Sequence, residues 1–255
     1  MKNVLTDRML DFITASPCSY FAVANAARRL DEAGFTRLLE SQPWQLAPGG
    51  RYYTTRGGSS LIAFTLPKTG LPGFIITASH TDSPAFKLKQ NPHLPGKSYV
   101  RLNTEKYGGM LFSTWFDRPL EIAGRVLVRT PDGGIAQRLV ELPECPVVIP
   151  NVAIHMNREV NKGVAVRPNV DMLPICRAAE AGWEKDGYLL GLLAKKLKVE
   201  KEDILSFELC AYCRQKAEIA GFEGDLLVSP RLDNLSSVHA VLRGLLDAGK
   251  AAKGI

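Results

Sequence analysis

Two short segments hold residue types that could bind a cation. In Ser79-His80-Thr81-Asp82-Ser83-Pro84 a histidine and a carboxylate stand two positions apart, directly after the apolar run Gly73 to Ala78. Alternate residues of an extended chain face the same way. Asp82 can therefore accept the second ring proton of His80, fix its tautomer and leave the other nitrogen free to ligate a metal. The same spacing also suits a turn histidine whose loop the aspartate caps. The second segment, Ser229-Pro230-Arg231-Leu232-Asp233-Asn234-Leu235, follows a short apolar stretch and precedes a helical pattern. Asp233 or Asn234 there is a helix N-cap, or Asp233 is a carboxylate whose two oxygens bridge paired metal ions as two-metal hydrolases require. Arg231 pairs with a carboxylate or holds the loop, and its type leaves both open.

The chain has four histidines. His239 falls four residues after Leu235 and three before Leu242, on the apolar stripe of a helix, which predicts a side chain packed in the core or behind a metal ligand. His93, between Pro92 and Pro95, reads as a loop residue at a domain junction. His155 sits in Asn151-Val152-Ala153-Ile154-His155-Met156-Asn157-Arg158 among alternating, strand-like residues, where spacing alone gives it a structural role. Five cysteines at irregular spacing predict free thiols. Cys210 and Cys213 belong to the alternating stretch that begins at Ile204, so they read as buried thiols of a strand rather than a zinc knuckle or redox pair.

The elements that must position these residues follow from periodicity. Thr6 is placed to cap a short helix carrying Met9, Leu10, Phe12 and Ile13, and Ser19 to cap a second, Tyr20 to Ala33, which Gly34 stops. Arg51 to Leu66 alternates and turns at Gly57-Gly58, as a strand pair does. Gly73 to Ser79, bounded by Pro72 and Pro84, reads as a strand buried on both faces, with His80 at its carboxyl end where ligands of open sheets collect. Glu121 to Arg129 and Ile135 to Leu142 form a hairpin about Pro131-Asp132-Gly133-Gly134. Gly187 to Leu197 is a helix, Ile204 starts a strand, Leu226 to Val228 another, and Leu235 to Ala248 a helix ended by Gly249. The organisation expected is one α/β domain, residues 1–92 and 226–255, interrupted by a β-rich insertion at 93–225.

A net charge of +6 arises from basic residues scattered among acids, with no basic stripe interleaved with aromatics, so no nucleic-acid partner is expected. No apolar run reaches the length of a membrane span, and the first residues carry acids within their apolar pattern rather than a secretory signal. A cytoplasmic protein without membrane contact is expected.

In order along the chain, several segments resemble the M18 (aspartyl aminopeptidase-like) metalloaminopeptidases. They are Ser16-Pro17 with Phe21-Ala22-Val23; Trp44 with Gly49-Gly50; Ser79 to Pro84; Tyr107-Gly108-Gly109 with Ser113 to Pro119 and Ala123 to Val126; Ile149 to Arg158; and Ser229 to Leu235. The resemblance implies an α/β fold, a zinc-peptidase-like sheet flanked by helices, interrupted by a β-rich dimerisation domain. It implies that His80 binds one zinc ion, that Asp233 bridges two, and that Asp82 supports His80. It implies that His155 reaches from the dimerisation domain into the active site of a neighbouring subunit. The activity implied is removal of acidic or neutral N-terminal residues from peptides with a free N-terminus by two-zinc-activated water, with manganese or cobalt as exchangeable metals. The assembly implied is a dimer-based homo-oligomer, dodecameric in the family.

Family members carry an Asp-Asn-Glu-Glu type segment, with the general-base Glu and a metal-ligand Glu, and later a further Asp and a final His. These lie beyond the match at Ala251 to Ile255, so the catalytic domain reads as truncated at its C-terminus. Weak metal binding and no peptidase activity are expected of these 255 residues alone, with a noncatalytic dimerising subunit as the alternative role.

Overall fold

The computed structural model describes residues 4–71, 73–183 and 187–251. In chain order these contain α1 (Val4–Thr14), α2 (Ser19–Glu32), β1 (Thr36–Arg37), β2 (Arg51–Arg56), β3 (Ser60–Thr65), β4 (Ala85–Pro95) and β5 (Tyr99–Tyr107). They continue with β6 (Pro119–Arg129), β7 (Ile135–Glu141), β8 (Val147–Val148), α3 (Pro168–Asp171), β9 (Ile175–Ala178), α4 (Tyr188–Leu197) and β10 (Ile204–Cys213). The last are β11 (Glu218–Ala220), β12 (Leu226–Val228) and α5 (Leu232–Ala251). Contacts divide the chain into two units, Met1–Ser83 with Lys216–Ile255, and Pro84–Gln215. The sequence reading sets these junctions at 92/93 and 225/226. Every strand pairing of β4 is with β5 or β10, so it groups with the second unit from Ala85 onward.

In the first unit, α2 buries Ala22, Val23, Ala26 and Leu30, one stripe at helical spacing. The helix ends before Gly34, whose φ of 78° is the left-handed conformation that glycine adopts without a Cβ clash. Phe12 and Ile13 of α1 pack with Ala22, Leu235 and Val238, and a second cluster joins Ala26, Leu30, Phe35, Tyr53 and Leu242. β1 runs parallel to β2, and β2 pairs antiparallel with β3 from Arg51↔Thr65 to Arg56↔Ser60 around the expected glycine turn. β11 and β12 form a separate antiparallel pair.

Thr6 lies inside α1 rather than at its cap, and Ser19 is the first residue of α2, whose N-cap is Cys18. α5 runs past position 249 to Ala251, because one glycine weakens a helix interior without ending it. Gly73 to Ser79 is not a buried strand: it has no regular structure, and Phe74, Ile75 and Ile76 are 76%, 96% and 84% exposed. An apolar run becomes a buried strand only where neighbouring strands take up its amides and carbonyls and other elements cover its faces. Among the described residues no strand lies beside it.

In the second unit seven strands are ordered β10-β4-β5-β9-β8-β6-β7, and a further β10–β6 pairing brings the sheet round on itself. All its ladders are antiparallel. The inward residues Phe86, Leu88, Leu102, Leu120, Val126 and Phe207 form its core, and α4 adds Leu189, Leu193 and Ala194. β6 and β10 approach so closely at Gly124 that a Cβ there would lie 2.0 Å from the Glu208 carbonyl oxygen. The expected hairpin, helix and strand are present as β6–β7, α4 and β10. Cys210 and Cys213 are half-buried residues of β10, and neither is in a disulfide.

His93 is not a junction loop residue. It is buried in β4 opposite Leu102, with edge-on ring contacts to Trp183 and Tyr188 at 5.4 and 5.7 Å. The strand continues past Pro92 to Pro95, with a pairing irregularity between Leu88 and His93. His155 is likewise not in a strand: Ile154–Met156 forms a 3-10 turn with the histidine exposed. Among the described residues no helix is long and apolar enough to cross a membrane.

Candidate metal centre

The loop 79–83 and the loop between β12 and α5 meet within the first unit, and each is tied at more than one point. The Thr81 hydroxyl donates to the Ser59 carbonyl in the β2–β3 turn at 2.8 Å, anchoring the segment that carries His80. The Ser83 hydroxyl donates to the Asp233 carbonyl at 3.0 Å, linking the two loops to each other. On the other side the Arg231 guanidinium donates to the Ile13 carbonyl at 3.2 Å, which ties this loop to α1. Arg231 adopts a φ of 64°, and its carbonyl accepts the Leu235 amide at 3.2 Å, starting the regular part of α5. Asp233 and Asn234 have non-helical backbone within that first turn, and the peptide between them is cis.

This framework puts His80 between two aspartates. Its Nδ1 lies 3.0 Å from the Asp82 carbonyl oxygen and 3.2 Å from Asp82 Oδ1, and its Nε2 lies 3.1 Å from Asp233 Oδ1. The Asp82 geometry is that of a carboxylate orienting a metal-type histidine. The Asp233 carboxylate, 90% exposed, meets the His80 ring. Partial burial favours the neutral ring, but the Asp82 carbonyl and the charges of Asp82 and Asp233 outweigh it, so His80 titrates above the ordinary histidine range. A divalent cation offered Nε2 and Asp233 competes with a proton for that nitrogen.

Imidazole nitrogen with carboxylate oxygen is a donor set that suits zinc and also admits manganese or cobalt. Asp82 and Asp233 contact opposite nitrogens of the ring. Accordingly, among the described residues no three His, Cys, Asp or Glu side chains converge on one point. His239 is buried 5.9 Å from the Phe12 ring as its helical stripe predicts. His155, exposed on its 3-10 turn, belongs to the second unit. Sequence reasoning missed the tethering hydroxyls of Thr81 and Ser83. Both flank Asp82 in the motif, but a hydroxyl in a turn gives no sign of which distant carbonyl it meets.

A family model described as aminopeptidase I zinc metalloprotease (M18) matches residues 12–253. The chain is 42% identical over 254 residues to a probable M18 family aminopeptidase 2 of Clostridium acetobutylicum, covering 97% of this chain and 59% of that protein. It thus spans under two thirds of the length of that relative. In three dimensions it is similar to a chain of the Ape4 and Nbr1 complex, with a TM-score of 0.90, 34% identity, and coverage of 96% of this chain and 50% of that one. It is also similar to the S. cerevisiae mApe1 dodecamer, with a TM-score of 0.78, 28% identity, and coverage of 97% and 56%. With a family match over nearly its whole length, this chain belongs to the aminopeptidase I zinc metalloprotease (M18) family.

Proposed function

We propose that this chain contributes the His80 and Asp233 part of a zinc-dependent aminopeptidase that removes acidic or neutral N-terminal residues from peptides. One observation carries the reading: an imidazole nitrogen and a carboxylate oxygen meet at 3.1 Å while Asp82 holds the opposite ring nitrogen. His80 and Asp233 would hold the ion, and the second Asp233 oxygen offers a bridge to another. Zinc, when bound, supplies Lewis-acid activation of a peptide carbonyl and of the attacking water. The chain's own contribution is positioning. Asp82 keeps the His80 ring turned and its Nδ1 protonated, and the anchored loops keep Nε2 and the Asp233 carboxylate facing each other.

Catalytic zinc takes about three protein ligands, more than the described residues bring together at this point. These 255 residues by themselves are therefore expected to bind zinc weakly and not to hydrolyse peptides, with further donors coming from outside the described residues. The relative named above as a dodecamer supports a homo-oligomer. In such an assembly the exposed His155 is the residue expected to enter a neighbouring subunit's site, with residues 93–225 as the dimerisation domain. A cytoplasmic location is part of the same reading. A noncatalytic dimerising subunit is the second reading, supported by a second unit whose sheet is built from its own strands alone.

The test is a zinc titration of the chain with aminopeptidase assays on Asp- and Leu-anilides in added zinc or manganese. Binding lost on His80→Ala and on Asp233→Ala supports the site. Binding indifferent to both substitutions removes it, and turnover that depends on His80 overturns the inactivity of the isolated chain.

A further inference from the structure

The Asp233 carboxylate is almost fully exposed, so packing does not hold it toward His80. Its backbone must do so, and that backbone is irregular: Asp233 has a ψ of 107° and Asn234 a φ of −123°, inside a turn where the helical ladder is interrupted. One side-chain bond reaches the Asp233 carbonyl across the site, from the Ser83 hydroxyl at 3.0 Å and 150 positions away in sequence. Ser83 is also the residue immediately after Asp82, which fixes the other ring nitrogen of His80. One short segment therefore controls both halves of the constellation: Asp82 turns the histidine, and Ser83 sets the main chain from which the aspartate projects.

We infer that Ser83 is a positioning residue for the cation site, its hydroxyl holding the Asp233 backbone so that the carboxylate meets His80 Nε2. The inference rests on His80 and Asp233 being cation ligands. It adds a residue that contacts neither the cation nor the substrate. The donor must be a hydroxyl at this position: threonine keeps it, while alanine and cysteine remove a strong donor.

The experiment follows the imidazole nitrogen resonances of His80, assigned by their loss in His80→Ala, during titration of the chain with zinc chloride. Outer partners of metal ligands are worth about 10- to 100-fold in affinity. Ser83→Ala is expected to raise the dissociation constant about tenfold, and Ser83→Thr to stay within about twofold of the unsubstituted chain. A thermal melt accompanies each variant. If Ser83→Ala lowers the midpoint by more than a few degrees, Ser83→Cys takes its place with the same tenfold expectation. Zinc shifts at His80 that are equally strong in the hydroxyl-less variants overturn the inference while leaving the metal site standing. Weakening in Ser83→Thr equal to that in Ser83→Ala also overturns it, since a hydroxyl would then not be the operative group. Absence of any zinc-dependent shift at His80 removes the metal site and the role of Ser83 together.

Discussion

Arg231 donates from its guanidinium to the Ile13 carbonyl, 3.2 Å away, so the loop presenting Asp233 is fastened to the C-terminal part of α1. Ile13 is itself fully buried, which makes the acceptor a fixed point. The tie joins the packing of the terminal helices to the geometry of the site. Arg231→Ala is expected to lower the unfolding free energy by about 1–3 kcal/mol, the cost of losing a hydrogen bond from a charged donor and leaving its acceptor bare. Urea denaturation measures it, and an unchanged midpoint would show that the loop stands without this bond.

The two substitutions at the His80 pair separate ligation from orientation. His80→Ala is expected to abolish zinc binding, whereas Asp82→Asn keeps Nε2 but loses the carboxylate beyond the ring and weakens binding about 10- to 100-fold. Chelator competition distinguishes the two. Equal losses would mean that Asp82 ligates directly.

His239 gives the first unit a pH dependence. Burial, then the charges of Arg29, Arg243 and Arg8, hold its pKa below the ordinary value of 6.5. A group with a lowered folded pKa takes up its proton more readily in the unfolded chain. Its contribution to stability is complete above the unfolded value of about 6.5 and is lost as pH falls through the folded value. Thermal melts between pH 7.5 and 5 are expected to show a decline that His239→Gln flattens. A decline of the same size in that variant would assign the effect to other groups.

Gly124→Ala tests the closure of the second unit. Its new Cβ would meet the Glu208 carbonyl at 2.0 Å, an obstruction by backbone that no side-chain rotamer relieves. The expected cost is about 3 kcal/mol, at the upper end for overpacking. Calorimetry reads it directly, and a melting temperature unchanged by the methyl would show that β6 and β10 separate freely there.

Residue type and local period determined much of this protein without any structure. The alternation of Glu121 to Arg129 and Ile135 to Glu141 around a glycine turn is the β6–β7 hairpin, and the stripe ending at Gly34 is α2, because pleat and helical pitch are properties of a few neighbouring residues. The motifs around His80 and Asp233 also marked, through their resemblance to one family, which residues to pair. Other features depend on distant neighbours, and there the local signal failed. Gly73 to Ser79 has the composition of a buried strand but no strand beside it among the described residues, and His93 looked like a loop residue until the sheet closed around it. The 3.1 Å between His80 and Asp233, the Ser83 bond to the Asp233 carbonyl and the Arg231 bond to Ile13 join residues far apart in sequence. Such contacts arise only when helix packing and loop anchoring bring separate segments together, and no local propensity encodes them.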